Sequence, residues 1–200
     1  MDQRRHWERR YLESSEPFYG RPPSAFLERS VPLLPPAGRC LDIGGGQGRN
    51  AVFLARLGWD VVLVDVAIAG VATARLLARH DRVRLGAVVA DLDESPLEVP
   101  GESVDLVLMI NFHDSDLLRQ SVKWLRPGGA LVVEGFAQEQ LGRGSGGPQD
   151  PALLWGPNQL LRLVAPMRVV WYEDRLTDAD DNRRHRGEKW VVRLIARRPA

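Results

Sequence analysis

A short apolar strand that runs into glycines at alternate positions and straight on into a helix constrains this chain more than any other feature. The segment is Cys40-Leu41-Asp42-Ile43-Gly44-Gly45-Gly46-Gln47-Gly48-Arg49, followed by the helix-like Asn50 to Leu57. Glycine is needed where the backbone must turn tightly and lie against a ligand with no Cβ in the way. The helix start behind it offers unpaired N–H groups and partial positive charge. Together they make a nucleotide-type site at the carboxyl end of a parallel sheet.

Further strands and helices alternate after it. Val61 to Asp65, Val83 to Val89, Val104 to Ile110 and Ala130 to Phe136 read as strands. Ile68 to Arg79 reads as a helix, as does a segment capped by Asp114 or Ser115 that carries Leu118, Val122 and Leu125 on one face. Such alternation argues a mostly parallel sheet with helices on both faces. The pattern then breaks. Residues 142–156 are rich in glycine and proline, Pro157 to Val164 suits a short helix, and Arg168 to Tyr172 and Trp190 to Ala196 read as two strands joined by the polar stretch Thr177 to Glu188. A polar connection between two strands favours an antiparallel pair. The expected fold is therefore α/β, a seven-stranded, mostly parallel Rossmann-like sheet closed by an antiparallel C-terminal hairpin. We expect one domain over 1–200, with a cap segment at 1–37, a core at 38–136, and a substrate-side loop and hairpin at 137–200.

Glycine spacing separates two ligand classes. The dinucleotide fingerprint is G-x-G-x-x-G. Counted from Gly44, its last glycine would fall where Arg49 stands; here it comes one residue earlier, at Gly48, with Asp42 ahead of the first. The pattern D-x-G-x-G-x-G resembles the first motif of the class I S-adenosylmethionine (SAM) methyltransferases, and Leu125-Arg126-Pro127-Gly128-Gly129 resembles that family's structural turn. Gly48-Arg49-Asn50, the 156–161 segment and Tyr172-Glu173-Asp174 look like the tellurite-resistance methyltransferase group. The resemblance implies SAM as cofactor, held by Asp42, Gly44, Gly46, Gly48, Asn50, Asp65, Val66, Asp91, Leu92 and Asn111. Asp65 ends a strand about 20 residues beyond the glycines, where a carboxylate accepts from ribose hydroxyls; its alternative is a helix cap. Asp91, with Leu92 behind it, would meet the adenine ring, its alternative being a turn aspartate. Asn111 would face the methionine end. Val66-Ala67 stands where relatives often carry a serine cap.

The family's activity is methyl transfer, here onto a small molecule. The resemblance puts a chalcogen oxyanion or thiol first and O- or N-methylation of a metabolite second; a NAD(P)-dependent oxidoreductase and a SAM-binding module without turnover are the readings from other classes. Methyl transfer needs two reactants held in line, and a base when the nucleophile is protonated. His113, after the fourth strand, and His185, in the basic turn Arg183 to Arg186, are the candidate catalytic residues. The family's histidine-arginine pair at the substrate maps onto Arg184 and His185. Tyr19 and Arg21, in the N-terminal segment that covers the crevice in similar enzymes, complete the expected substrate set. Tyr11 lies in the same segment, whose alternative role is plain packing.

Composition limits the partners. The formal net charge is +1, which gives no global attraction to nucleic acid or membrane. One cysteine, Cys40, excludes a disulfide framework and paired-cysteine metal chemistry, so no metal is expected. It also removes the covalent route of cytosine-C5 methylation. The charged N-terminus lacks the apolar core of a signal peptide, and no run approaches the roughly 20 apolar residues that span a bilayer. A cytoplasmic location and a monomer or homodimer are the remaining expectations.

Overall fold

The computed structural model describes the chain except for Met1, Ser15, Ser95, Pro96, Asp181 and Arg183. Its centre is a seven-stranded sheet of order β3-β2-β1-β4-β5-β7-β6. The first five strands are parallel: β1 (Arg39–Ile43), β2 (Asp60–Asp65), β3 (Gly86–Val89), β4 (Val104–Ile110) and β5 (Leu125–Phe136). The last two, β6 (Arg168–Thr177) and β7 (Lys189–Arg197), pair antiparallel, and β7 also joins β5 antiparallel. This is the sheet expected from the sequence, hairpin included.

The helices are α1 (Gln3–Glu13), α2 (Ala25–Ser30), α3 (Arg49–Arg56), α4 (Ile68–His80), α5 (Ser115–Trp124) and the single turn α6 (Gln159–Leu163). Side chains on the two faces of β1, β4 and β5 build separate cores, because successive residues of a strand point to opposite sides. Ile43, Met109 and Val133 meet Leu118 of α5 and Trp155 on one face. Cys40, Leu108 and Val132 meet Phe26, Leu54 and Ala74 on the other. Asp114 caps α5, its Oδ1 accepting the N–H groups of Asp116 and Leu117.

Four local features differ from the sequence reading. The charged N-terminus forms α1, whose weak apolar periodicity hides that it is held by tertiary contacts, chiefly Tyr11 and an Asp2 cap. β3 begins only at Gly86, since Arg82 adopts a left-handed φ of 56° to end α4 and the chain needs the next residues to turn back. β5 starts early, Leu125 pairing with Val104 before the register shifts to Leu106↔Ala130 through a turn at Gly128. β6 runs five residues past its expected end at Tyr172, to Thr177, where the polar connection begins.

Candidate functional site

The glycine turn sits where β1 ends between β2 and β4. Gly44, Gly46 and Gly48 hold φ of 65°, 56° and 83°, a region closed to most side chains. A Cβ on Gly46 would come 2.7 Å from the Tyr11 hydroxyl, one on Gly48 2.6 Å from Ala74 Cβ, and one on Gly44 would collide with the Phe112 ring. Each glycine is thus required by space as well as by backbone. Gly48 starts α3 with no side-chain cap, so the helix end keeps its donor character.

Asp65, 7% exposed at the end of β2, ties the turn together. Its Oδ2 accepts Gly46 N–H at 2.8 Å and its Oδ1 accepts Ala67 N–H at 2.9 Å. It takes the helix-start role considered from the sequence, since α4 has no cap side chain of its own, and it also places a carboxylate beside the glycines. Burial raises its pKa. Asp42 is fully enclosed beneath the turn, near Gly45, with Oδ2 lacking any partner, and burial pushes it up to about 7. Asn111 ends β4 at a left-handed φ of 56°, a conformation that turns its peptide across the sheet mouth.

Two hollows meet here. A narrow crevice of about 30 Å³ is bounded by Tyr11, Gly44 to Gln47, Asn50 and Ile110. A larger cavity of about 800 Å³ extends from it between the N-terminal segment and the ends of β5 and β7. Tyr19, Gly20, Arg49 and Asn111 line both. The crevice is narrow because the N-terminal segment is seated on it. Phe18 N–H donates to Gln47 Oε1, Ser24 N–H donates to Asn50 Oδ1, and Glu8 accepts the Ala69 N–H.

Residues 40–129 match the family profile described as a methyltransferase domain. That stretch, just under half of the chain, is similar in sequence to a methyltransferase domain. This domain spans less than half the length of the curated relatives it matches: it is 34% identical over 103 residues to the ubiquinone biosynthesis O-methyltransferase of Xanthomonas campestris pv. campestris, covering 49% of this chain and 43% of that protein. Among solved structures, the fold is similar to TehB from Haemophilus influenzae (TM-score 0.71, 16% identity, 86% of this chain and 61% of the other). It is also similar to the geranyl diphosphate C-methyltransferase of Streptomyces coelicolor A3(2), solved with S-adenosyl-L-homocysteine (TM-score 0.67, 16% identity, 98% and 97%). SAM is the cofactor of the class. The glycine cradle, the Asp65 carboxylate beside it and the left-handed Asn111 at the sheet mouth fit such a group.

The other sequence-derived residues divide by position. Gly44, Gly46, Asn50 and Asn111 line the methyltransferase crevice; Asp42, Gly48, Asp65, Val66, Asp91 and Leu92 do not. Asp91 closes a turn on Asp93 N–H, and Leu92 packs on the core. Tyr19, Arg21 and His185 line the large cavity. Arg184 and His113 stand away from it. Arg184 lies over the Phe18 ring at 3.9 Å and donates to the Phe18 carbonyl, so it clamps the N-terminal segment. His113 packs against Trp155, ring centres 4.0 Å apart, with Nε2 buried and unpartnered and its pKa lowered by burial. In the basic turn it is Arg186, one residue on from His185, that borders the cavity, and Arg183 lies outside the described residues.

The cavity also holds residues the sequence did not single out. Arg193 of β7, 1% exposed, bonds Glu134 of β5 (2.8 Å), Glu173 of β6 and Asp180 (2.9 Å). Arg29 of α2 and Ser24 join the same group through Asp180 and Glu134. These partners lie up to a hundred residues or more apart, so no local pattern announces them; the only signal was a charged residue within an otherwise apolar strand.

Proposed function

We propose that the chain is a SAM-dependent methyltransferase whose acceptor is a small molecule bound in the 800 Å³ cavity. The observation that carries this reading is the shared wall. A crevice at the glycine turn and a ligand-sized cavity are joined by Tyr19, Gly20, Arg49 and Asn111. That arrangement lets a cofactor on one side and an acceptor on the other meet in line, which is the main requirement of methyl transfer. When bound, SAM supplies an activated methyl group. Gly44 to Gly46, Asp65 and Asn111 are the residues proposed to hold it, with Asp91 and Leu92 toward its base. Tyr19 and the segment behind it shut water out. His185 and Arg186 face the acceptor, and His113 has no part in this reading.

O- or N-methylation of an organic metabolite is favoured over the chalcogen reading, because the cavity far exceeds what a bare oxyanion fills. The O-methyltransferase name of the curated relative agrees with it. A reducing, cytoplasmic setting accords with a lone buried cysteine. Calorimetry tests the proposal: S-adenosyl-L-homocysteine binds the ligand-stripped protein and a pyridine dinucleotide does not. The reverse result removes it.

A further inference from the structure

The large cavity is unevenly charged. Its carboxylates Glu134 and Asp180 are engaged by Arg193. Glu16, which has a contact of its own, and Glu28 of α2 are exposed on its border. Against these stand three guanidinium groups, Arg21, Arg49 and Arg186, with no carboxylate in ion-pair contact among the described residues. Arg49 sits at the junction with the crevice, its guanidinium 5.2 Å from the centre of the Tyr19 ring, and it makes a long 3.5 Å contact to the Pro22 carbonyl. Glu134 and Asp42 favour its charge from a distance, but a half-buried cation with no ion-pair contact still gains when a ligand brings an anion to it.

The walls between the cations are flat and apolar. The rings of Tyr19, His185 and Phe136 meet at 5.4 Å and 4.7 Å, and Pro22 and Pro23 lie opposite. His185 is oriented by Asn182, whose Oδ1 accepts the N–H groups of Arg184 (2.9 Å) and His185 (3.0 Å). That turns the Asn182 amide NH₂ to donate to His185 Nδ1 at 3.3 Å. With Nδ1 an acceptor, the neutral ring carries its proton on Nε2, and Nε2 has no partner among the described residues. A ring in this state donates a hydrogen bond and does not take a proton.

Resting on the methyltransferase reading, we propose that the acceptor is an organic acid, not a bare oxyanion and not a neutral alcohol or amine: its anionic group is bound by Arg21, Arg49 and Arg186, its flat body lies against Tyr19 and Phe136, and His185 donates to it from Nε2. Size supports this. A four-atom oxyanion takes the room of roughly four waters, about 120 Å³, and would leave most of the 800 Å³ to solvent. Burial, with the Arg49 and Lys189 charges, holds His185 down at about 4, so the ring stays neutral wherever a carboxylate is ionised. The acidic group also enters already ionised, so its binding needs no base from the protein.

The test uses the full chain loaded with S-adenosyl-L-homocysteine, whose own binding is measured first by calorimetry. Failure at that step strikes the cofactor site and not the acid. The probes are then 2-naphthoate, phenyl phosphate, the uncharged 2-naphthamide and sodium selenite. One or both organic acids bind, and naphthoate or the phosphate exceeds the amide by roughly tenfold or more; which acid is tighter separates carboxylate from phosphate recognition. Selenite does not displace them at equal concentration. Arg186→Gln, at an exposed position that does not endanger folding, weakens the acid and leaves the amide unchanged. In ¹⁵N NMR, His185 shows the Nε2–H form at pH 6. Equal binding of acid and amide, no binding of either acid, displacement by selenite, or an Nδ1–H or doubly protonated ring at pH 6 each overturns the proposal.

Discussion

The crevice and the cavity share a wall but are built in opposite ways. Most of the crevice lining comes from one continuous stretch, residues 44–50, in which glycine conformation and a helix start do the work, with Tyr11, Tyr19 and Ile110 closing it. The cavity is made by residues from the N-terminal segment, β5, the 182–186 turn and β7, brought together only by the finished sheet. The first is a backbone site that any acceptor specificity can be attached to. The second is a side-chain site, held by buried charge pairs, and on the proposed reading it is what selects the acceptor.

The contrast can be broken at its strongest point. Arg193→Met removes the cation that three carboxylates share at 1% exposure, leaving Glu134, Glu173 and Asp180 facing each other. A loss of about 3–5 kcal/mol is expected from urea unfolding, with the cavity side collapsing as a unit. On the other side, Gly48→Val meets Ala74 at a φ of 83°, and strain plus overpacking costs roughly 2–4 kcal/mol. Measured well below its unfolding midpoint, where the chain is folded, this variant should lose S-adenosyl-L-homocysteine binding. If it instead binds normally, the crevice is not the backbone site described.

How legible each half was in the sequence follows from the same difference. The D-x-G-x-G-x-G turn, Asp65 and Asn111 could be read because β1, β2 and β4 each end on one chemical signal at a fixed place in a short unit. The parallel strands and the closing antiparallel hairpin followed from strand-helix alternation and its break after Phe136, whereas the order of the strands is seen only in the fold. Arg49 was passed over as a mere departure from the dinucleotide pattern, though its side chain is the bridge between the two hollows. His113 looked like a substrate residue because it follows β4, but the register of β4 and the packing of Trp155 turn its ring into the core instead. Arg184 and Arg186 flank His185 symmetrically in sequence; only the turn made by Asn182 decides that one clamps Phe18 and the other borders the cavity.

Acid titration sharpens the comparison, because the most displaced acidic group of the crevice and the histidine of the cavity act in opposite directions. Asp42 under the crevice, raised to about 7, binds a proton in the folded chain that the unfolded chain lacks, so it makes stability fall as pH rises from about 4 to about 7. His185 in the cavity, lowered to about 4, refuses a proton that the unfolded ring takes up, so it makes stability fall as pH drops from about 6.5 to about 4. Their slopes offset in the wild type. Relative to it, Asp42→Asn should gain roughly 2–3 kcal/mol between pH 4.5 and 6.5, and His185→Gln should lose a similar amount over the same interval. Two variants with parallel profiles would show that neither group is buried as described. Asp65→Asn is a smaller change in the crevice. It keeps an oxygen for one of the two backbone donors and loses the charge, so S-adenosyl-L-homocysteine affinity should fall roughly tenfold with little loss of fold.

Arg184→Ala carries the smallest expected effect and bears most directly on how the two hollows communicate. Its guanidinium covers Phe18 and its Nε holds the Phe18 carbonyl, while Phe18 N–H is held from the crevice side by Gln47. The residue is exposed, so its removal should cost about 0.5–1 kcal/mol of global stability or less. What it should change is local: amides of α1 and of residues 16–20 exchange faster with deuterium, while those of β1 and β4 do not. Since the N-terminal segment narrows the crevice to about 30 Å³, loosening it from the cavity side should also quicken cofactor entry by a few-fold, read as the association rate of S-adenosyl-L-homocysteine. Faster exchange with an unchanged association rate would mean that the segment covers the acceptor alone, and that the cofactor reaches the glycine turn by another opening.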